Sequence, residues 1–231
     1  MAVLTLTIDI GGSHMKGAVI DEQAELAAGP VRIDTIPGMP PQQVVAALAA
    51  MVEPLGRFER VSVGFPGVVR AGRVLTAANL GIEVWQGFDL GKALAVALDR
   101  PVRVANDADL QGLAVIAGAG VEMVITLGTG FGTGLYQDGR LGPHLELAHH
   151  PFRRGETYDE QVGDAARKKV GTARWNKRVE KAIANMRRLA NFDHLYVGGG
   201  NAKRIEFKLA PDVSLVDNVA GLLGGPALWR D

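Results

Sequence analysis

The sequence predicts an α/β protein made of two similar halves, and three observations predict it. A strand, a glycine-rich turn and a returning strand occur at residues 3–20 and again at 121–137. Each set opens a stretch in which β-branched strands alternate with helical segments, the pattern of a mixed sheet covered by helices. The 30 glycines of the 231-residue chain cluster at the strand ends, where backbone must turn tightly or approach a ligand. Two such lobes are expected to leave a cleft between them, the usual place for a ligand. The boundary is expected near residue 107, giving a small N-terminal lobe over 1–107 and a C-terminal lobe over 108–217, with a terminal helix over about 218–231 packing back on the first.

Val3 to Ile10 alternates and is rich in β-branched residues, so it reads as a strand; Gly11-Gly12 breaks it and Lys16 to Ile20 returns. Val31 to Ile36 is a third candidate strand. Pro40-Pro41 opens a helix to about Glu53, with Val44, Val45, Leu48 and Met51 at helical spacing. Val61 to Phe65 is a buried strand ended by Pro66-Gly67. Asp89 caps a helix to about Leu98, and the strand Pro101 to Ala105 leads through Asn106-Asp107 into a helix to about Ala117. In the second half, Val121 to Leu127 is an apolar strand and Leu135 to Gln137 returns from its turn. Residues 140–163 read as irregular and polar. Arg174 to Leu189 is a basic amphipathic helix, His194 to Val197 and Ser214 to Val216 are strands, and Asn218 to Trp229 is a terminal helix.

The composition, 47% hydrophobic and 22% charged, is that of an ordinary soluble protein with a sizeable core. A formal net charge of zero gives no global pull toward nucleic acid or membrane. With no cysteine, a disulfide framework and a thiolate zinc site are both excluded. The N-terminus lacks the basic region and cleavage site of a signal peptide, and no apolar run approaches the ~20 residues of a membrane span, so a cytoplasmic location is expected.

Five motifs can carry chemistry. Asp9-Ile10-Gly11-Gly12-Ser13-His14-Met15-Lys16 combines glycines that let backbone N–H groups approach an anion, the hydroxyl of Ser13, the charge of Lys16, and a carboxylate, Asp9, that can hold a hydrated magnesium ion. It has no Gly-Lys-Ser/Thr and is not a P-loop; the plain alternative is a Gly-Gly hairpin. Thr126 to Gly134, with Gly128, Thr129, Gly130, Gly132 and Thr133, is a second phosphate cradle or a second hairpin. Asn106-Asp107 stands between a strand and a helix. Its carboxylate can take a proton from an attacking hydroxyl, or the pair can serve as a helix cap. Glu146-Leu147-Ala148-His149-His150 offers a carboxylate and imidazoles suited to vicinal sugar hydroxyls; a surface loop or a zinc site are the alternatives. Gly198-Gly199-Gly200 lets a nucleotide lie against backbone, or simply turns.

Taken together, these residues resemble the repressor–ORF–kinase (ROK) family of sugar kinases, within the actin-like ATPase superfamily, and the likeness runs along nearly the whole chain in order. Asp9 to Lys16 looks like the family's first phosphate motif and Thr126 to Gly134 like its second. Gly64-Phe65-Pro66-Gly67 looks like the Gly-x-Pro-Gly turn, and Asn79-Leu80 like the Asn-Leu pair near the sugar. Asn106-Asp107-Ala108 is similar to the motif carrying the catalytic aspartate, Glu146-x-x-His149 to the sugar motif, and Gly198 to Gly200 to the adenosine-side glycines. The resemblance implies two actin-like (ribonuclease H-like) lobes and a kinase in which Asp107 is the general base on a sugar hydroxyl, the 6-hydroxyl of a hexose. It implies that Gly67, Asn79, Asn106, Glu146 and His149 bind the sugar, that both glycine turns, with Lys16 assisting, hold donor phosphates and Mg2+, and that the enzyme is a homodimer.

The chain also departs from that pattern. Ala148 stands where the sugar motif has glycine. The family's cysteine-rich zinc loop is replaced by Arg153-Arg154-Gly155-Glu156-Thr157-Tyr158-Asp159-Glu160, so no zinc site is expected. Spacing puts either Asp159 or its neighbour Glu160 where the family contributes a further sugar-binding glutamate. The chain is short for the family and has no N-terminal helix-turn-helix, which favours a kinase over a repressor. Short, zinc-free members resemble polyphosphate glucokinases, which take phosphate from inorganic polyphosphate and often from ATP. Arg153, Arg154, Arg167, Lys168, Lys169, Arg174, Lys177, Arg178, Lys181, Arg187 and Arg188 concentrate positive charge in one stretch of a neutral chain, as a polyanion path requires; a solvated helix face is the alternative. A catalytically silent sugar-binding regulator and a kinase for another hexose or amino sugar are the competing functions.

Overall fold

The structure, a computed structural model, describes residues 2–77, 80–216 and 221–230. The chain divides into two compact units, residues 1–114 with 220–231, and residues 115–219.

In the first unit β1 (Thr5–Ile10), β2 (His14–Ile20) and β3 (Leu26–Asp34) form an antiparallel meander. After α1 (Pro41–Val52), β4 (Arg60–Phe65) joins β1 in parallel. Two short strands, β5 (Val69–Arg70) and β6 (Arg73–Val74), and the helices α2 (Ile82–Trp85) and α3 (Leu90–Leu98) lead to β7 (Val102–Asn106), parallel to β4, and then to α4 (Asp107–Gly112). The resulting five-stranded sheet has the order β3-β2-β1-β4-β7.

Strand alternation sorts the two faces of this sheet. Leu6, Ile8 and Ile10 of β1 and Val61, Val63 and Phe65 of β4 share a core with Val44, Leu48 and Met51 of α1 and Leu90 and Leu94 of α3. The alternate residues, Thr5, Thr7 and Asp9 of β1 and Ser62 and Gly64 of β4, are left for the other face. There the C-terminal segment crosses. Ser62, fully buried, donates to the carbonyl of Gly225 at 2.7 Å and accepts from Trp229 Nε1 at 2.9 Å. Arg60 and Arg103 lie over the Trp229 ring at 5.4 and 4.5 Å.

The second unit repeats the plan. β8 (Val121–Leu127), β9 (Phe131–Gln137) and β10 (Arg140–Leu141) form an antiparallel meander. The short strands β11 (Pro151–Arg153) and β12 (Glu156–Thr157) and the helices α5 (Tyr158–Val162), α6 (Asp164–Val170) and α7 (Thr172–Ala190) precede β13 (His194–Gly198) and β14 (Val213–Leu215). The sheet order is β10-β9-β8-β13-β14. Met123, Ile125 and Leu127 pack with Trp175, Val179, Ala182 and Met186 of α7. Trp175 is fully buried and donates from Nε1 to the carbonyl of Val162 at 2.7 Å, as a buried indole N–H requires. No helix among the described residues is long and apolar enough to cross a membrane.

The structure departs from the sequence expectations at four places. The helix after Asp107 ends at Gly112, well short of Ala117, because residues 117–119 give their N–H groups to the buried Glu122 carboxylate instead of a helical ladder. That helix lies on β4, with Leu110 against Gly64, so the boundary between units falls at 114 and not at 107. Residues 140–163 contain three short strands and α5, and a separate helix, α6, precedes α7. The expected terminal helix from Asn218 lies partly outside the described residues; its described part is a series of turns and a 3-10 turn at Pro226–Trp229, since Gly221, Gly224, Gly225 and Pro226 resist an α-helix.

A Cβ at Gly225 would overlap the side chain of Thr7. Gly225→Ala is therefore expected to destabilise the protein by about 1–3 kcal/mol in chemical denaturation. The Thr7 hydroxyl is buried without a hydrogen-bond partner among the described residues, so Thr7→Val is expected to be neutral or stabilising.

Candidate active site

The first unit carries the carboxylates. Asp9, next to last in β1, is in register with Gly64 of β4; Gly64 is in turn beside Ala105 of β7, and Phe65 beside Asn106. This register brings Asp9 and the first turn of α4 together. The space between them exists because position 64 has no side chain. A Cβ there would lie 3.3 Å from Asp107 Cα, 3.6 Å from Asp9 Oδ1 and 3.2 Å from Leu110 Cδ2.

Burial is the main reason that the Asp107 carboxyl titrates high, at about 7, and the negative charge of Asp9 is the next. Hydrogen bonding to the Ala108 N–H, 2.9 Å from Asp107 Oδ1, pulls the other way. Burial also raises Asp9, opposed by the charge of Lys16. Asn106 serves as the helix cap, its Oδ1 accepting from Ala108 N at 2.8 Å and from Asp109 N, while its Nδ2 donates to the carbonyl of Gly67 at 3.2 Å. The cap thus fixes Asp107 at the end of β7 and ties it to the turn after β4. Gly67 itself is confined by the Thr76 carbonyl, which a Cβ would overlap.

The turn of residues 11–13 is held at its base. Gly11 N donates to the carbonyl of His14 at 3.0 Å, and a Cβ on Gly11 would come within 2.8 Å of that oxygen. Thr35 fastens the turn from just past the end of β3, donating its hydroxyl to the Gly11 carbonyl at 2.6 Å and its N–H to the Ser13 carbonyl at 2.9 Å. Gly12, Ser13 and Lys16 remain exposed. Asn79 lies outside the described residues.

The second unit holds the other turn more elaborately. Gly128 N donates to the Gly130 carbonyl at 3.1 Å, and the turn is gripped from three sides. Asp159 Oδ1 accepts from Phe131 N at 2.6 Å, Asp164 N donates to the Gly128 carbonyl at 3.0 Å, and Asn201 N donates to the Leu127 carbonyl at 2.9 Å. Gly199, at φ +88°, packs on Leu127 where no side chain fits. Gly198 is buried in the end of β13, and Gly200 is exposed beside Asn201. Thr129 is exposed. Thr133 is only 4% exposed and donates its hydroxyl to the Leu145 carbonyl at 2.7 Å, so that proton is committed to the backbone of the 140s loop and not to a ligand. Gly132 pairs with Thr126 inside the β8–β9 ladder.

The polar loop assembles around His149, which is exposed and whose charge acts on both Glu146 and Glu160. A hydrogen bond from His144 is the first cause of the lowered Glu146 pKa, with burial opposing it. Glu160 is occupied in a capping box. Its Oε2 accepts from Thr157 N at 2.8 Å and its N–H donates to Thr157 Oγ1 at 3.3 Å, which lowers its pKa. Each candidate acid at 159 and 160 thus has one carboxylate oxygen engaged by a backbone N–H.

Sequence reasoning missed His144, Asp164 and Asn201. Asp164 is held well below the usual carboxylate range by Lys168, Arg167 and Asn201, so it stays ionised beside the turn. The signals were present: an Asp three and four residues before Arg and Lys, and an Asn directly after three glycines. The basic stretch also divides. Arg167 and Lys168 are paired with Asp164, and Arg187 with Asp212. Arg178 lies within electrostatic reach of Arg153, Arg154 and Arg174, with Glu156 as the opposing charge.

Two mixed α/β units, each opened by a glycine turn, with a half-buried aspartate after the third parallel strand of the first, define the class: sugar kinases of the actin-like ATPase fold. The chain belongs to the ROK family, whose model matches residues 5–154. The inorganic polyphosphate/ATP-glucomannokinase from Arthrobacter sp. strain KM superimposes with a TM-score of 0.83 at 30% identity, covering 97% of each chain. The polyphosphate glucokinase of Mycobacterium tuberculosis (strain CDC 1551 / Oshkosh) is 29% identical over 234 residues, 94% of this chain and 88% of that protein. An N-acetylmannosamine kinase of Citrobacter koseri is 31% identical over 142 residues, 59% of this chain and 49% of that one.

The raised Asp107 makes stability depend on pH with a definite sign. An unfolded carboxyl ionises near 3.8 and this one at about 7, so the folded state holds an extra proton between those values. The burial cost is absent below the lower value, grows across the window and is complete above the upper one. Asp107→Asn is expected to raise the melting temperature at pH 8, with a gain that vanishes toward pH 4.

Proposed function

We propose that this protein is a hexose kinase that phosphorylates the 6-hydroxyl of glucose, with polyphosphate, ATP or both as donor. The observation that carries the reading is Asp107, a carboxylate fixed by its cap, titrating near neutral pH and set beside a second, half-buried carboxylate, Asp9. A base of that strength accepts a hydroxyl proton in the transition state, and it is about half ionised at pH 7 and mostly ionised at pH 8.

In this reading the sugar oxygen forms its bond to the terminal phosphorus as the bridging P–O bond of the donor breaks. The hydroxyl proton passes to Asp107, and the shortened donor leaves with the bridging oxygen. In this reading Gly67, Asn106, Glu146 and His149 are the sugar-binding groups. Backbone N–H groups of Gly12 and Ser13 and of Thr129 and Gly130, with Lys16 and the Thr129 hydroxyl, serve the donor phosphates in turns closed by the Gly11 and Gly128 amides, and Gly198 to Gly200 serve the adenosine of ATP. Asp9 would hold a hydrated magnesium ion, which neutralises charge on the donor phosphates. The residues fit such an ion, since Asp9 and Asp107 place two carboxylates near each other against a desolvation cost that Lys16 offsets at Asp9 and the Ala108 N–H offsets at Asp107.

Polyphosphate use is supported by the named activities of the two relatives of similar length and by the Arg153, Arg154, Arg174 and Arg178 group. There burial and like-charge repulsion both disfavour the Arg178 cation, so an anion is the natural complement. The partial likeness to N-acetylmannosamine kinases supports including amino sugars among the acceptors tested.

A panel of hexoses and amino sugars crossed with ATP and polyphosphate is expected to give glucose 6-phosphate as the main product; no phosphosugar from any pair would reject the proposal. Asp107→Asn is expected to lower turnover by about 10²–10⁴-fold while glucose binding in calorimetry stays within about threefold. Replacing Arg153, Arg154 and Arg174 with Gln is expected to raise the KM for polyphosphate about tenfold, with a smaller change for ATP and an effect that shrinks at high salt.

A further inference from the structure

Asp159 stands at the sequence position that suggested a sugar contact, but its carboxylate is turned to the donor side of the unit. Its Oδ1 takes the Phe131 N–H at 2.6 Å. Its carboxyl group lies flat on Gly130, where an added Cβ would stand 2.8 and 2.9 Å from its two oxygens. The rest of the residue reaches the sugar loop and the next helix. Asp159 N donates to the carbonyl of Ala148, beside His149, at 3.0 Å. The Asp159 carbonyl accepts from Gly163 N at 3.0 Å. Gly163 in turn backs onto the Thr129 carbonyl, from which a Cβ would be 2.6 Å away.

One residue therefore joins the Glu146–His149 loop, the start of α6 and the Gly128–Gly130 turn. We propose that Asp159 is a positioning residue for the donor, fixing the second phosphate turn and coupling it to the sugar loop, and that it is not itself a sugar ligand. The proposal rests on the kinase reading above. The physical reason is reach: a carboxylate engaged by the Phe131 amide and seated on Gly130 is the inner support of the turn. A longer Glu would have to buckle or leave. The negative charge beside a phosphate site is tolerable because it is spent on that amide, and because Asp164, the other acid at the turn, is neutralised by Arg167 and Lys168.

The test compares the full-length protein with Asp159→Ala, Asp159→Asn, Asp159→Glu and Gly130→Ala, each checked for folding by circular dichroism and melting. Asp159→Ala and Gly130→Ala are expected to raise the donor KM about tenfold and leave the glucose KM within about twofold, since they loosen the turn and not the sugar loop. Asp159→Asn keeps an acceptor oxygen and is expected to recover most of the donor affinity, whereas Asp159→Glu is expected to behave like the alanine variant. The proposal is overturned if Asp159→Ala raises the glucose KM with the donor KM unchanged, if Asp159→Glu outperforms Asp159→Asn, or if neither constant moves. Calorimetry with ATP and with inorganic tripolyphosphate separates this from the kinase reading. Should the wild-type protein phosphorylate no sugar, that reading fails alone, and the present one stands if tripolyphosphate or ATP binding is about tenfold weaker in Asp159→Ala. It falls if the wild type binds neither anion.

Discussion

Two carboxylates share a half-buried position in the first unit because a glycine separates their strands. Asp9 and Asp107 come from β1 and from the end of β7, and both lean toward Gly64 of the strand between. Any side chain at 64 would push against Asp107 Cα and Leu110. The register of three parallel strands, the seat of α4 and the elevated Asp107 all depend on that absence. The sheet meets the constraint by sorting its faces. Apolar residues of β1 and β4 go to the α1–α3 core, so the remaining face is free for polar groups and for the C-terminal segment anchored by Ser62.

The second unit meets a different demand with the same plan. A turn that offers backbone N–H groups to an anion must be rigid without side chains filling it, because those would occupy the ligand's place. Its support comes from outside: a carboxylate on one flank, a helix-start amide on another, and the Gly199–Asn201 backbone on a third. The first unit's turn is held by one threonine just past the end of β3. The duplicated motif thus conceals an asymmetry. The turn next to the acids is lightly tethered and exposed, and its counterpart is built into three neighbouring elements.

Much of this was legible in the sequence. The strands that open each unit, α1, α3, α7 and the helix start at Asn106–Asp107 follow from hydrophobic period and cap chemistry, which are local. The Asn106–Asp107 pair shows why the two readings of it were not rivals. Asn106 is the cap, and by capping it orients Asp107. Residues 140–163 were harder because their elements are only two to five residues long, too short for periodicity, though Thr157-x-x-Glu160 spells a capping box and marks the start of α5. The first unit runs on through α4 to residue 114 because that helix packs on β4, a tertiary fact with no local signature.

The direction of a side chain is the part least written in sequence, and here it reverses roles. Spacing alone could place an acid near the sugar loop at 159 or 160, but it could not say that Glu160 would close on Thr157 or that Asp159 would lie on Gly130. Both outcomes follow from unpaired backbone N–H groups. The first turn of α5 needs an acceptor at Thr157, and Phe131, at the mouth of the glycine turn, needs one too. Once those two donors are answered, Glu146 is the remaining acid of the loop's two motifs, its pKa lowered first by the hydrogen bond from His144, with the charge of His149 and the Ala148 amide contributing. The acids at 159 and 160 thus each answer a backbone N–H of the scaffold around the Glu146–His149 loop.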